Sequence, residues 1–123
     1  MCVFCDYLVK KEKVIFDNKL AFTIYDGFPV NKGHMLIMPK RHVESFFELT
    51  SDEKLAIDEL VTRTKAFLDE NFKPDAYNLG INEGVYAGQS ILHCHLHVIP
   101  RYIGDVSNPR GGVRGVIPAK QNY

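Results

Sequence analysis

His93-Cys94-His95-Leu96-His97-Val98-Ile99-Pro100-Arg101 sets three histidines in strict alternation with apolar residues. Successive side chains of an extended strand point to opposite faces. The spacing predicts a strand from Leu92 to Arg101 that carries three imidazoles in one row, about 6.5–7 Å apart. Cys94, Leu96 and Val98 then turn to the other face, where a core can take them. A helix would scatter the same rings over roughly 200° of its circumference, at ~100° per residue. Imidazole gains and loses a proton near neutral pH, acts as a nucleophile and binds metals. Three of them at this spacing are hard to explain as packing.

The residues just upstream extend the pattern. Asn82-Glu83-Gly84-Val85-Tyr86-Ala87-Gly88-Gln89-Ser90 reads as a turn whose glycines let backbone amides approach an anion. Gln89 and Ser90 add side-chain donors. His95, in the middle of the row, is the expected nucleophile, and His97 the expected donor to a phosphate oxygen or a leaving group. Backbone carbonyls are expected to orient the rings, because no carboxylate lies close in sequence. Asp26, between a strand and a turn, is either a turn-former or a carboxylate for ribose hydroxyls.

Further out, Lys13 to Phe16, Leu20 to Tyr25, His34 to Met38 and Tyr77 to Asn82 read as four more strands. Thr50-Ser51-Asp52-Glu53 has the capping-box pattern that opens a helix. Ile57, Leu60, Val61, Thr64, Phe67 and Leu68 recur at helical spacing along it to about Asn71, before Lys73-Pro74 stops it. The expected fold is α+β: about five antiparallel strands in a meander, with one long helix packed on one face. The whole chain, 1–123, suits a single domain, with an irregular tail from about residue 104.

Fifteen basic and fifteen acidic residues cancel. No global field favours a polynucleotide or an anionic membrane, so neither is an expected partner. No apolar run approaches the ~20 residues of a membrane-spanning helix. The N-terminus lacks the character of a signal peptide, and a cytoplasmic location is expected. In that compartment Cys2-Val3-Phe4-Cys5 is a metal or redox candidate rather than a disulfide. His42 and His93 are the obvious additional ligands for a closed, structural Cys₂His₂ site. A redox pair and the absence of any role stay open. Cys94 is expected to be a small buried apolar residue.

His93-Cys94-His95-Leu96-His97-Val98-Ile99 resembles the signature of the histidine-triad (HIT) family, His-φ-His-φ-His-φ-φ with φ apolar. The similarity extends through Asn82-Glu83-Gly84, Gly88-Gln89-Ser90, Asp26 and the run from Gly33 to His42. With Cys2-x-x-Cys5 it looks like the small bacterial zinc-containing branch, related to the HINT and FHIT groups.

The resemblance implies a homodimer that binds a purine nucleotide or dinucleotide. It implies cleavage at the α-phosphate of nucleoside 5′-phosphoramidates or of dinucleoside polyphosphates such as diadenosine tetraphosphate. The route would pass through a nucleotidyl-histidine on His95, with His97 at the α-phosphate or leaving-group side. Asn82, Gly88, Gln89 and Ser90 correspond to phosphate-contacting positions and Asp26 to the ribose acceptor. Cys2, Cys5, His42 and His93 correspond to ligands of a structural Zn²⁺, with no organic cofactor. The alternative is a non-catalytic nucleotide-binding interaction module. The length and triad argue against the galactose-1-phosphate uridylyltransferase branch. The tail differs from the HINT type, and its Arg110 or Arg114 is expected near distal phosphates.

Overall fold

Apolar strands that are covered on both faces organise the chain. The computed structural model describes residues 2–123. A short helix α1 (Val3–Lys10) precedes strands β1 (Phe16–Asp17), β2 (Ala21–Tyr25) and β3 (Met35–Pro39). A long helix α2 (Ser51–Asn71) follows, then β4 (Ala76–Ile81) and β5 (Leu96–Arg101). The five strands form one antiparallel sheet in the order β1-β2-β3-β5-β4.

That order corrects the expected meander, because β5 and not β4 pairs with β3. The 21-residue α2 spans about 30 Å. It carries the chain across the sheet, which resumes at the outer edge with β4. The antiparallel return of β5 then fills the gap between β3 and β4. Two strand ranges also shrink. β1 keeps Phe16 alone of the expected Lys13 to Phe16 and takes in Asp17. β5 begins at Leu96 rather than Leu92, because residues 92–95 bend away from the sheet. There the Cys94 amide donates to the Val43 carbonyl at 2.7 Å, and His93 donates from Nε2 to the Pro39 carbonyl at 2.8 Å.

The expectation for α2 agrees with the structure. The Thr50 hydroxyl accepts from the Glu53 amide and the Glu53 carboxylate accepts from the Thr50 amide, which closes the capping box. Ile57, Leu60 and Leu68 are buried against Ala21, Met35, Ile37 and Val98. α1 was not expected. It is only eight residues long, too short for its period to stand out. Its Phe4, Tyr7 and Leu8 cover Phe22, Ile24, Leu36 and Met38 on the opposite face of the sheet. The tail follows β5. It winds through 3₁₀ turns at Gly112–Val116 and Pro118–Lys120, the first of which packs on β4. No helix among the described residues is long and apolar enough to cross a membrane.

Candidate active site and metal centre

Leu36 on β3 stands opposite His97 on β5, so His97 projects from the face that α1 covers. The bend at 92–95 preserves the alternation beyond the strand. Cys94 is buried among the residues under α2, whereas His95 lies beside His97 with ring centroids 5.1 Å apart. His93 is the exception to a common pocket. Its ring turns towards the N-terminal cysteines.

Hydrogen bonds decide the protonation of each ring. A carbonyl oxygen can only accept, so the 2.8 Å contact between His95 Nδ1 and the His93 carbonyl places the proton on Nδ1. Nε2 of His95 keeps its lone pair, as a nucleophile requires. The orienting group is a backbone carbonyl, as expected from the sequence. His95 is 7% exposed, with Phe4 packed edge-on against it.

A second chain of bonds fixes His97. The Val30 amide donates to His34 Nδ1 at 3.1 Å, which leaves the His34 proton on Nε2. That N–H faces His97 Nδ1 at 2.9 Å and Asp26 Oδ2 at 3.4 Å. His97 Nδ1 therefore accepts, and its own proton sits on Nε2, free to donate to a ligand. Burial, reinforced by the neighbouring His95 and His34, pushes the His97 pKa down to about 4. Burial also lowers that of His34. The His97 ring is therefore neutral at pH 7, with its proton on Nε2.

Asp26, His34 and His97 lie close enough to be weighed as a metal site. The tautomers argue otherwise. A cation on His34 Nε2 would displace the proton while Nδ1 still accepts from Val30, leaving an imidazolate. The cluster reads as a hydrogen-bond relay. His34 is the residue that sequence reasoning missed as part of the site. Its parity with Leu36 would have placed it on the His97 face, but only once the β3–β5 register was known. Gly33, at φ +87°, lets the chain turn into β3 where a Cβ would come within 2.9 Å of Leu68 Cδ2.

The loop from Asn82 to Ser90 is docked rather than free. Glu83 accepts from the Phe46 amide at 2.8 Å. Gln89 is buried. Its Oε1 accepts from the Gly84 amide, and its Nε2 donates to the Glu44 and Ile91 carbonyls. This corrects the expectation that the Gln89 side chain adds a donor for a ligand, since the Glu44 and Ile91 carbonyls take its amide N–H groups. Gly88 adopts φ +96°, beside the Asn82 side chain. Ser90 is exposed, and Asn82 lines a groove with His97. The phenolic ring of Tyr123 occupies Arg110 and Arg114, whose guanidinium carbons sit 5.0 and 4.4 Å from its centre. Neither arginine lines the groove, contrary to the expectation that they meet distal phosphates.

A second constellation gathers at the start of α1. Ligand atoms of Cys2, Cys5, His42 and His93 all lie within 4.8 Å of one another. His93 Nδ1 is 3.6 Å from each sulfur, and His42 Nδ1 is 3.4 Å from Cys5 Sγ. Tetrahedral zinc, with Zn–S near 2.3 Å and Zn–N near 2.0–2.1 Å, sets a sulfur–nitrogen edge of about 3.5 Å. The donor set therefore fits Zn²⁺. His93 also has the outer partner such ligands usually have, because its Nε2–H is held by Pro39 while Nδ1 stays unprotonated. Burial and the adjacent Cys2 push the Cys5 thiol up. A divalent cation between the sulfurs would hold both as thiolates.

Comparison with known proteins matches this architecture. The HIT domain model covers residues 8–104. An uncharacterized HIT-like protein of Methanocaldococcus jannaschii is 38% identical over 107 residues, 85% of this chain and 82% of that protein. The bis(5′-adenosyl)-triphosphatase of Dictyostelium discoideum is 32% identical over 105 residues, 85% of this chain and 70% of its own length. The crystal structure of a Zn-bound histidine triad family protein from Mycobacterium smegmatis superposes with a TM-score of 0.77 at 29% identity, covering 87% of this chain and 79% of that one.

Proposed function

The chain belongs to the HIT family, and on that premise we propose that it is a nucleotidyl hydrolase or transferase cleaving at the α-phosphate of a nucleoside 5′-phosphoramidate or dinucleoside polyphosphate. The observation that carries this reading is the 2.8 Å bond from His95 Nδ1–H to the His93 carbonyl, which leaves Nε2 unprotonated beside His97. A relative named as a bis(5′-adenosyl)-triphosphatase supports the substrate class.

His95 Nε2 attacks the α-phosphorus. A P–N bond forms, and the bond to the leaving group breaks with its electron pair on that group. A departing amine takes its proton from solvent, whereas a departing nucleoside polyphosphate leaves as its phosphate oxyanion. The Nε2–H of His97 donates to an α-phosphate oxygen as charge develops there, a contribution of preorganised polarity. Water then attacks phosphorus, the P–N pair returns to His95, and a nucleoside monophosphate leaves. Asn82 and the amides around Gly88 and Ser90 are the proposed phosphate neighbours. Gln89 acts there by bracing the loop, and Asp26 is the proposed ribose acceptor.

Cys2, Cys5, His42 and His93 would hold a structural Zn²⁺, a reading supported by their donor geometry and by the Zn-bound relative. The metal would tie the N-terminus to the bend that carries His95. The described chain is read as one domain. A homodimer is supported by the unpaired outer edge of β4, where Leu79 is 48% exposed. A monomer in sedimentation at micromolar concentration would remove that part of the reading.

Incubation with adenosine phosphoramidate and with diadenosine tri- and tetraphosphate tests the activity. Release of AMP, and a nucleotidyl adduct mapped by mass spectrometry to His95, are the expected results. His95→Ala should abolish turnover and keep nucleotide affinity. If His95→Ala turns over at the wild-type rate, His95 is not the nucleophile.

A further inference from the structure

A nucleotide carries its base on the far side of the ribose from the phosphate. With the phosphate at His95 and His97 and the ribose at Asp26, the base therefore lies beyond Asp26, against the loop that follows β2. That loop, residues 26–34, is pinned along its length. The Asp26 amide donates to the His34 carbonyl at 2.9 Å, and the His34 amide donates to the Asn31 carbonyl at 3.2 Å. The Val30 amide donates to His34 Nδ1 at 3.1 Å. The Asn31 side chain donates to the Pro100 carbonyl and to Asp105. At the turn itself the Phe28 amide donates to Asp26 Oδ1 at 2.8 Å, and Pro29 restricts the next backbone dihedral. The carboxylate that faces His34 through Oδ2 is thus bonded through Oδ1 to the backbone of an aromatic residue.

Phe28 is 90% exposed. A lone apolar ring in solvent is ordinary on a protein surface. Three features set this one apart. Its backbone is fixed by the carboxylate read as the ribose acceptor. The space beside it is open, because a Cβ added at Gly27 would meet no heavy atom within 4 Å beyond its chain neighbours. From Gly27 to Asn31 the loop carries no charged side chain, so a heterocycle can lie there without desolvating a charge. Stacking of a base on an aromatic ring is worth about tenfold or more in affinity. A loop already held in place loses little freedom when the base arrives.

We propose that Phe28 is a base-binding residue, whose ring stacks on the nucleobase of the nucleotide that Asp26 holds by its ribose. This rests on the reading of Asp26, His95 and His97 under Proposed function. Asp26 can serve both contacts, since an ionised carboxylate offers about four acceptor positions. The Phe28 amide takes one, and His34 Nε2 at 3.4 Å faces another. The turn therefore makes one unit of the ribose acceptor and the stacking ring.

The test uses the full chain, as wild type, Phe28→Ala and Phe28→Trp. At 90% exposure these changes should leave the fold intact. The ligands are AMP and ribose 5-phosphate, which keeps the hydroxyls and the phosphate and lacks the base. Wild type should bind AMP about tenfold or more tighter than ribose 5-phosphate by calorimetry. Phe28→Ala should weaken AMP by about 5- to 30-fold, with ribose 5-phosphate within about twofold of wild type. The chain contains no tryptophan, so Phe28→Trp introduces a single indole where the base is to lie. That variant should bind AMP within about threefold of wild type. Its emission should be quenched by AMP along the binding curve and not by ribose 5-phosphate. Equal wild-type affinity for the two ligands overturns the proposal. So does an equal loss of both in Phe28→Ala, which would make Phe28 a support for the loop, or an indole whose emission ignores AMP. Failure of the wild type to bind either ligand removes the nucleotide reading itself, and so is distinct from binding without stacking.

Discussion

Two histidines of the same motif are tuned in different ways by their partners. A carbonyl holds His95 with a free Nε2 lone pair, whereas another imidazole holds His97 as a donor at Nε2. The cost of that arrangement is readable as pH dependence. The folded-state pKa of His97, about 4, lies below its ordinary value of 6.5. The unfolded chain therefore takes up this proton below about pH 6.5, while the native state resists it until about pH 4. Stability from His97 is complete above pH 6.5 and is lost as pH falls through that window, by up to about 3 kcal/mol. Urea unfolding at pH 7, 5.5 and 4.5 should show a steeper loss in wild type than in His97→Asn. Parallel curves would mean that His97 titrates near its ordinary value.

At the scale of elements, the start of α2 is joined to the segment that carries His42. Glu53 belongs to the capping box and also accepts from Arg41 Nε at 3.0 Å and Nη2 at 2.8 Å. Arg41 immediately precedes His42, and its guanidinium holds the Glu53 carboxyl below its usual range. One buried carboxylate thus fixes a helix end and a candidate metal ligand together. Glu53→Gln preserves shape but removes the charge. Because Arg41 is half exposed, the loss should be about 1–2 kcal/mol. A melting temperature lower by roughly 3–6 °C is the expected readout, and an unchanged one would show that the cap alone suffices.

For the molecule as a whole, the four-residue cluster joins α1, the segment after β3 and the bend before β5, three parts far apart in sequence. Metal bound there would stabilise only the folded state. Wild-type protein should contain one zinc per chain, and chelation should lower its melting temperature by about 5 °C or more. A Cys2→Ser, Cys5→Ser double variant should bind none and show no chelator response. Full zinc content in that variant would remove both cysteines from the ligand set.

The sequence by itself determined the α+β class, α2 with its cap, the alternation that separates His95 and His97 from Cys94, and the four residues that meet at the N-terminus. These are local periods or residue chemistries, which a chain carries wherever it folds. Tertiary structure alone decided the strand order, because the return of β5 between β3 and β4 depends on where α2 delivers the chain. It also decided the partnership of His34 with His97 and the engagement of Gln89 by the backbone of Glu44, Gly84 and Ile91. Each of these is a pairing between distant residues whose geometry comes from register and packing, and spacing along the chain does not encode it.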